Sequence, residues 1–451
     1  MRKRTKRIAA VLLAGAMVMS MTGCGGNNES GNNDAVTGDT SAASTDDQVT
    51  IKITWWGGDS RHEATQKVLD LYTQENPNVK FEAVPAGWDG YFEKLSTQAA
   101  SGSMPDIVQM DYLYISTYAK NNSLADLKEF VDSGVIDTSK IDENIMNTGN
   151  ANDKLVGIPL SATALAVTYN PSVIESAGAE IPTDDWTWDD YITLNKKVAD
   201  STGKPSALAA TAGIFGDVNI FNYWVRSHGG TLFNADGTAL GYDDDKITSD
   251  FFEMWKNMAD ENVAPDADEQ TQIASLGKEG LPIVTDEAAT DIEWNAFPTT
   301  VSAVNPNLKL AVMPDAQNSG LWLKPGMFFS VSETSKVKEE CAKFINWFVN
   351  STEANDIILG ERGTPVSSDV REYLISSGKL TDQQKEAFDY TDKITAVVGE
   401  TPAADPSGIA EVNEAFASAG NSVLYGQLTP EEAAEQFRAK ANEILERNNA
   451  Q

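Results

Sequence analysis

The chain has 451 residues, 41% of them hydrophobic and 22% charged, which is too apolar for a disordered polymer and long enough for more than one core. Its 67 Asp and Glu against 34 Lys and Arg leave a net charge of −33, which argues against direct binding to nucleic acid or to an anionic membrane surface. With two histidines and two cysteines, there is little material for a His-based metal centre, a Ser-His-Asp triad or a disulfide framework.

Arg2, Lys3, Arg4, Lys6 and Arg7 precede an apolar run from Ile8 to Met21, the layout of an export signal over residues 1–23. At about 14 residues the run is short for a bilayer span. Met21-Thr22-Gly23-Cys24 resembles the lipobox of bacterial lipoproteins, with Met in place of the commoner Leu, and implies Cys24 as the lipidated first residue of the mature chain. Residues 24–50 hold almost no large apolar side chain and read as a flexible tether behind that anchor.

From Ile51 the pattern alternates between strand and helix. Ile51–Trp55 is a β-type run closed by Gly57-Gly58, and residues 62–75 place Val68, Leu69, Leu71 and Tyr72 on one helical side before Asn76-Pro77. Val79–Val84 reads as a second strand, Asp89–Ala100 as a helix with Tyr91, Phe92, Leu95 and Ala99 inward, and Ile107–Met110 as a third strand. This β-α-β-α-β order calls for a parallel sheet covered by helices. Leu155–Asn170 reads as a strand that leaves the first region. A mainly helical stretch follows to about residue 280, with a hairpin turn at Asp236-Gly237. Leu281–Thr285, Leu308–Met313 and Phe328–Val331 are later β-type runs, and helices are expected over 337–350 and from Thr429 to Arg447, the latter opening on a good capping sequence. Cys341, at helical spacing with Phe344, Ile345 and Phe348, reads as a buried apolar residue.

IKITWWGG, GWDGYFEKLSTQAASGSMPDIVQMDY, GIPLSATALAVTYNP, the WTWDD of Trp186–Asp190, SHGGTLFNADG, CAKFINWFVN and the ERGTP of Glu361–Pro365 occur in this order over nearly the whole chain beyond the tether. Together they resemble the family 1 extracellular solute-binding proteins, which serve ABC importers for oligosaccharides, multiple sugars or sugar derivatives. The resemblance implies an α/β, two-lobed Venus-flytrap fold of the periplasmic-binding-protein kind, with several crossovers between lobes. Residues 51–160 plus 284–328 are expected in the N-terminal lobe and 161–283 plus 329–451 in the C-terminal one. It also implies a monomer that holds a carbohydrate, hands it to membrane permease subunits, and meets the membrane only through its lipid, on the outer face of the cell. No cofactor and no metal are implied.

Open α/β sheets gather ligands beyond the carboxyl ends of their strands. There stand Trp56, Asp59 and Arg61 after the first strand, Trp88 after the second, and Asp111 and Tyr112 after the third. A sugar presents hydroxyls and weakly apolar ring faces, so this mixture of carboxylate, guanidinium and flat rings suits it. The resemblance adds Thr163, near the first crossover, the aromatic positions Trp224 and Trp294, and Arg362 at the cleft edge. Several of these residues have an equally plain structural role. Of the adjacent Trp55 and Trp56 one must face the core, and Trp56 is assigned to the cleft. Trp224 fits a core position as well as a ligand platform, and Arg362 fits a buried arginine paired with an acid. Trp186 and Trp188 read as pins at a helix start, Trp347 as packing, and Asp106 as part of the strand entry. No catalytic motif is present. A receptor for a peptide, polyamine or phosphorylated polyol, and a two-carboxylate glycosidase, are the competing readings.

Overall fold

The computed structural model describes residues 48–209 and 213–449; the signal segment, Cys24 and the tether lie outside them. Strand β1 (Val49–Trp56) buries Ile51, Ile53 and Trp55 completely. Helix α1 (Asp59–Glu75) follows and packs Thr65, Val68, Leu69 and Tyr72 inward, the i, i+3, i+4, i+7 stripe of an amphipathic helix. Asn76 then turns the chain, its N–H donating to Tyr72 O at 2.8 Å. Strand β2 (Val79–Ala86) lies parallel to β1 in register from Val49↔Val79 to Trp56↔Ala86. Helix α2 (Tyr91–Ala100) leads to β3 (Ile107–Met110), buried throughout and parallel to β1 on its other side. Helix α3 (Tyr112–Lys120) begins at once.

The sheet that contains these strands is mixed, not purely parallel. Lys324–Val331 pairs antiparallel with β3, Ile158–Thr163 pairs with Lys324–Val331, and Thr364-Pro365 closes the edge. A second, four-stranded sheet is built on Leu165–Tyr169, with Lys309–Ala311 and Thr290–Trp294 antiparallel on its two sides and Ala207-Leu208 beyond. The chain therefore leaves the first sheet at Thr163, passes through Ala164 and enters the second at Leu165. It returns where Leu323 meets Lys324, which is paired with Thr163. A further passage runs from Thr364-Pro365 to the helix Asp382–Ile394, whose Tyr390 hydroxyl donates to Leu165 O.

These pairings correct the expected division of the lobes. Thr290–Trp294 and Lys309–Ala311 belong to the second sheet and not to the first, whereas Lys324–Val331, the helices Lys338–Asn350 and Thr352–Ile358, and Thr364-Pro365 build the first. Short apolar runs carry no local mark of which sheet they will join. Leu281–Thr285 is also not a strand. It is a turn, with the N–H groups of Val284 and Thr285 both donating to Leu281 O, at 2.9 and 3.1 Å. Its apolar side chains instead fill a small cluster with Leu208, Phe297, Val301 and Leu308.

Elsewhere local chemistry and structure agree. Glu432 N–H donates to Thr429 Oγ1 at 3.2 Å and Thr429 N–H to Glu432 Oε2 at 3.0 Å, opening the helix Pro430–Asn449. Asp236-Gly237 lies in a tight turn closed by the Phe233↔Leu240 bridge. Cys341 is fully buried, and that burial pushes its thiol far above the usual range. Asp106 accepts from Lys52 N–H at 2.9 Å and from the Ser335 hydroxyl at 2.7 Å, tying strand entries together. Among the described residues no helix is long and apolar enough to cross a membrane.

Candidate functional site

The carboxyl ends of β1, β2 and β3 form one lip. Trp55 points into the core, its indole N–H donating to His62 Nδ1 at 3.1 Å. Trp56 points the other way but is only 7% exposed, because Trp88, Tyr91 and Phe92 surround it with ring centroids 5.3, 5.3 and 5.5 Å distant. Trp56 is thus the floor, and Trp88, 47% exposed, is the ring that offers a face. Tyr114 extends the cluster by stacking on Phe92 at 3.9 Å. Asp59 is exposed as the first residue of α1.

The two arginines have other partners. Arg61 Nε donates to both oxygens of Glu361, at 3.1 and 2.9 Å, and Nη1 donates to Trp56 O at 3.2 Å. Gly57 permits this, since a Cβ there would stand 2.5 Å from Arg61 Cδ. Arg362 is 5% exposed, its Nη2 donating to Thr65 Oγ1 at 2.8 Å and its guanidinium 5.3 Å from the Phe348 ring centre. Burial and then the nearby Arg61 pull its pKa down to about 9, and Glu361, 3.7 Å away, opposes them only in part. Its assignment to the cleft edge is corrected: Arg362 is an internal tie between α1, β3 and the Glu361 turn. Trp224 is corrected as well. It is 8% exposed, donates to Ile247 O at 2.9 Å, and packs on Trp188, Phe251 and His228 inside the second lobe.

The remaining nominees meet where the sheets join. Asp111 caps α3, its carboxylate accepting from Leu113 N–H at 2.9 Å. The Tyr112 hydroxyl donates to Pro402 O at 2.8 Å, and Thr401 Oγ1 donates to Leu323 O at 2.8 Å, which lays the 399–406 segment along the return crossover. Thr163 Oγ1 donates to Asn295 Oδ1 at 2.7 Å, and the same oxygen takes the Ala164 N–H at 3.2 Å. Asn295 in turn donates to Ala387 O and Thr391 Oγ1, so it clasps the joint from both sides. Next to it, Trp294 is half-buried, with the Lys324 ammonium 5.0 Å from its ring centre and Trp322 edge-on at 6.5 Å.

Lys324 and Asp405 complete the group, and residue type alone did not point to either. The register of β3 against Lys324–Val331 carries Asp111 toward the Lys324 end of that strand. Desolvation raises the Asp111 carboxyl above the usual carboxylate range, with the Leu113 N–H and Lys324 pulling it back. Asp405 is solvent-exposed and yet raised too, first by desolvation, with Lys324 opposing and Asp217 and Asp111 adding to the rise. Because both folded-state values lie above the unfolded ones, the stability linked to these groups is present at acid pH and lost as pH rises through the folded values. Asp405→Asn is therefore expected to raise the neutral-pH melting temperature of the ligand-free protein and to flatten its fall above the ordinary carboxylate range. Differential scanning fluorimetry from pH 4 to pH 8 checks this, and an unchanged profile would remove Asp405 from the cleft.

Strand ends from two sheets that meet across repeated crossovers, with flat rings beside carboxylates, define a receptor for a small polar solute. The chain belongs to the bacterial extracellular solute-binding proteins, whose family model matches residues 58–354. A putative ABC transporter periplasmic-binding protein of Escherichia coli, YcjN, is 23% identical over 313 residues, 66% of this chain and 67% of that one. The solved structure of a family 1 extracellular solute-binding protein from Alicyclobacillus acidocaldarius superposes with a TM-score of 0.79 at 29% identity, covering 88% of this chain and 99% of its own. A periplasmic oligogalacturonide-binding protein from Yersinia enterocolitica gives 0.73 at 27%, covering 89% and 100%. A structure described as a de novo designed cysteine esterase gives 0.77 at 27%, covering 89% and 99%. The two-lobed α/β fold of this class is that of the chain.

Proposed function

We propose that this solute-binding protein is lipid-anchored at Cys24 on the outer face of the cell membrane, takes a carbohydrate between its lobes as a monomer, and presents it to ABC permease subunits without chemical change. The observation that carries the reading is the convergence of Asp111, Tyr112, Trp294, Lys324 and Asp405 at the joint between the sheets. Carboxylates accept hydroxyl protons, and rings cover the C–H faces of a pyranose. The exposed Trp88 supplies a further platform on the first lip. Relatives described as binding oligogalacturonide and diacetylchitobiose favour a glycan over a peptide or polyamine.

Solute that touches both lobes is held better by the closed form and shifts the equilibrium toward it. The test is titration calorimetry of the full mature chain against a glycan panel, with product analysis of each mixture and solution scattering before and after. Saturable binding, intact glycan and a smaller radius of gyration are expected. Cleaved glycan would make the protein a hydrolase, and binding confined to peptides or polyamines would remove the carbohydrate.

A further inference from the structure

Resting on that reading, we infer that the cleft selects neutral or amine-bearing glycans and turns away uronides, in contrast to the oligogalacturonide-binding relative. The inference follows from where the charges at the two lips are committed. Arg61 is held by both oxygens of Glu361 and by Trp56 O. Arg362 is 5% exposed and enclosed among Thr65, Gln109 and Phe348. Arg226, behind Trp322, donates to Gly320 O and Glu400 O. Each of these guanidiniums, which would have been the bidentate fork for a sugar carboxylate, already has an internal partner.

Lys324 reaches the joint and lies over the Trp294 ring, the face a pyranose would cover. Asp111 and Asp405 stand close enough to act on it, and Asp217 adds a third carboxylate beside Asp405. A uronide entering here brings its charge toward Asp111 and Asp405, with the Lys324 ammonium to share among them. Like charges brought together penalise the wrong ligand. A neutral ring replaces the ammonium on Trp294 and leaves Lys324 to its carboxylates. An amino sugar does the same and adds a charge that Asp111 and Asp405 attract.

The experiment uses the full mature chain in a thermal-shift and calorimetric panel of matched trimers: galactotriose-type and glucose-type neutral trisaccharides, chitosan trisaccharide and trigalacturonate, each also with Lys324→Gln and with Asp111→Asn/Asp405→Asn. A melting shift with a neutral or amine-bearing trimer, at least about tenfold weaker binding of trigalacturonate, and a narrower gap in the double variant are expected. Lys324→Gln, which removes an ammonium that would favour an anion on the Trp294 ring, should widen the gap between the neutral trimer and trigalacturonate. Wild-type preference for trigalacturonate, abolished by Lys324→Gln, overturns the charge inference and leaves the carbohydrate receptor standing. Absence of binding by every glycan, with an amino acid, peptide or polyamine binding instead, overturns the carbohydrate reading and this inference with it.

Discussion

Truncation of Arg362 to alanine is expected to destabilise the protein by about 3–5 kcal/mol while leaving solute affinity within about threefold of wild type, the pattern of an internal ion and not of a ligand contact. The guanidinium lies between Thr65, Gln109, Glu361 and the Phe348 ring, and its removal opens a void under α1 and strips Gln109 of a donor. In a chain of this size each kcal/mol moves the melting temperature by roughly 2 °C, so calorimetry should show a drop of several degrees. Arg362→Met fills most of the volume and removes the desolvated charge, and it should recover a large part of the loss. An unchanged melting temperature together with more than tenfold weaker solute binding would return Arg362 to the cleft.

Replacement of Trp294 by alanine is expected to do the reverse. The ring is half-buried at the end of its strand, with its face toward Lys324 and the joint, so truncation should remove a stacking platform worth about 1.5–3 kcal/mol, a tenfold to hundredfold loss of affinity. Trp294→Phe, which retains a flat face, should recover part of it. Titration calorimetry with the best glycan of the panel measures both, and wild-type affinity in the alanine variant would show that solute stacks elsewhere.

Those opposite outcomes trace the limit of what residue type can say. The ends of β1, β2 and β3 could be read from apolar runs and turn residues, and the strand-end rule nominated Trp88, Asp111 and Tyr112 for the proposed cleft. The same rule also nominated Arg61, because a strand-end arginine looks the same whether it faces solute or folds back over Gly57 onto Glu361. Trp224 was undecidable for a related reason: on a helix whose Phe221, Trp224 and Val225 are all buried, its orientation depends on where Ile247 and Phe251 come to lie. Lys324 and Asp405 owe their place to crossovers between distant segments, and the Trp322-Leu323-Lys324 sequence is the one local hint. The sheet membership of Thr290–Trp294 and Lys324–Val331 was hidden on the same ground. Antiparallel pairing with a strand more than a hundred residues away leaves no periodicity to read.

The Asn295 clasp has a mechanical consequence. Its amide grips Thr163 and Ala164 on one side and Ala387 and Thr391 on the other, and its backbone neighbour is Trp294. On the proposed function, a flexion about Ala164 would carry that indole with it and couple the pivot to the proposed stacking ring. Occupancy and posture would then move together, and a permease that docks on one posture would read whether the seat is taken.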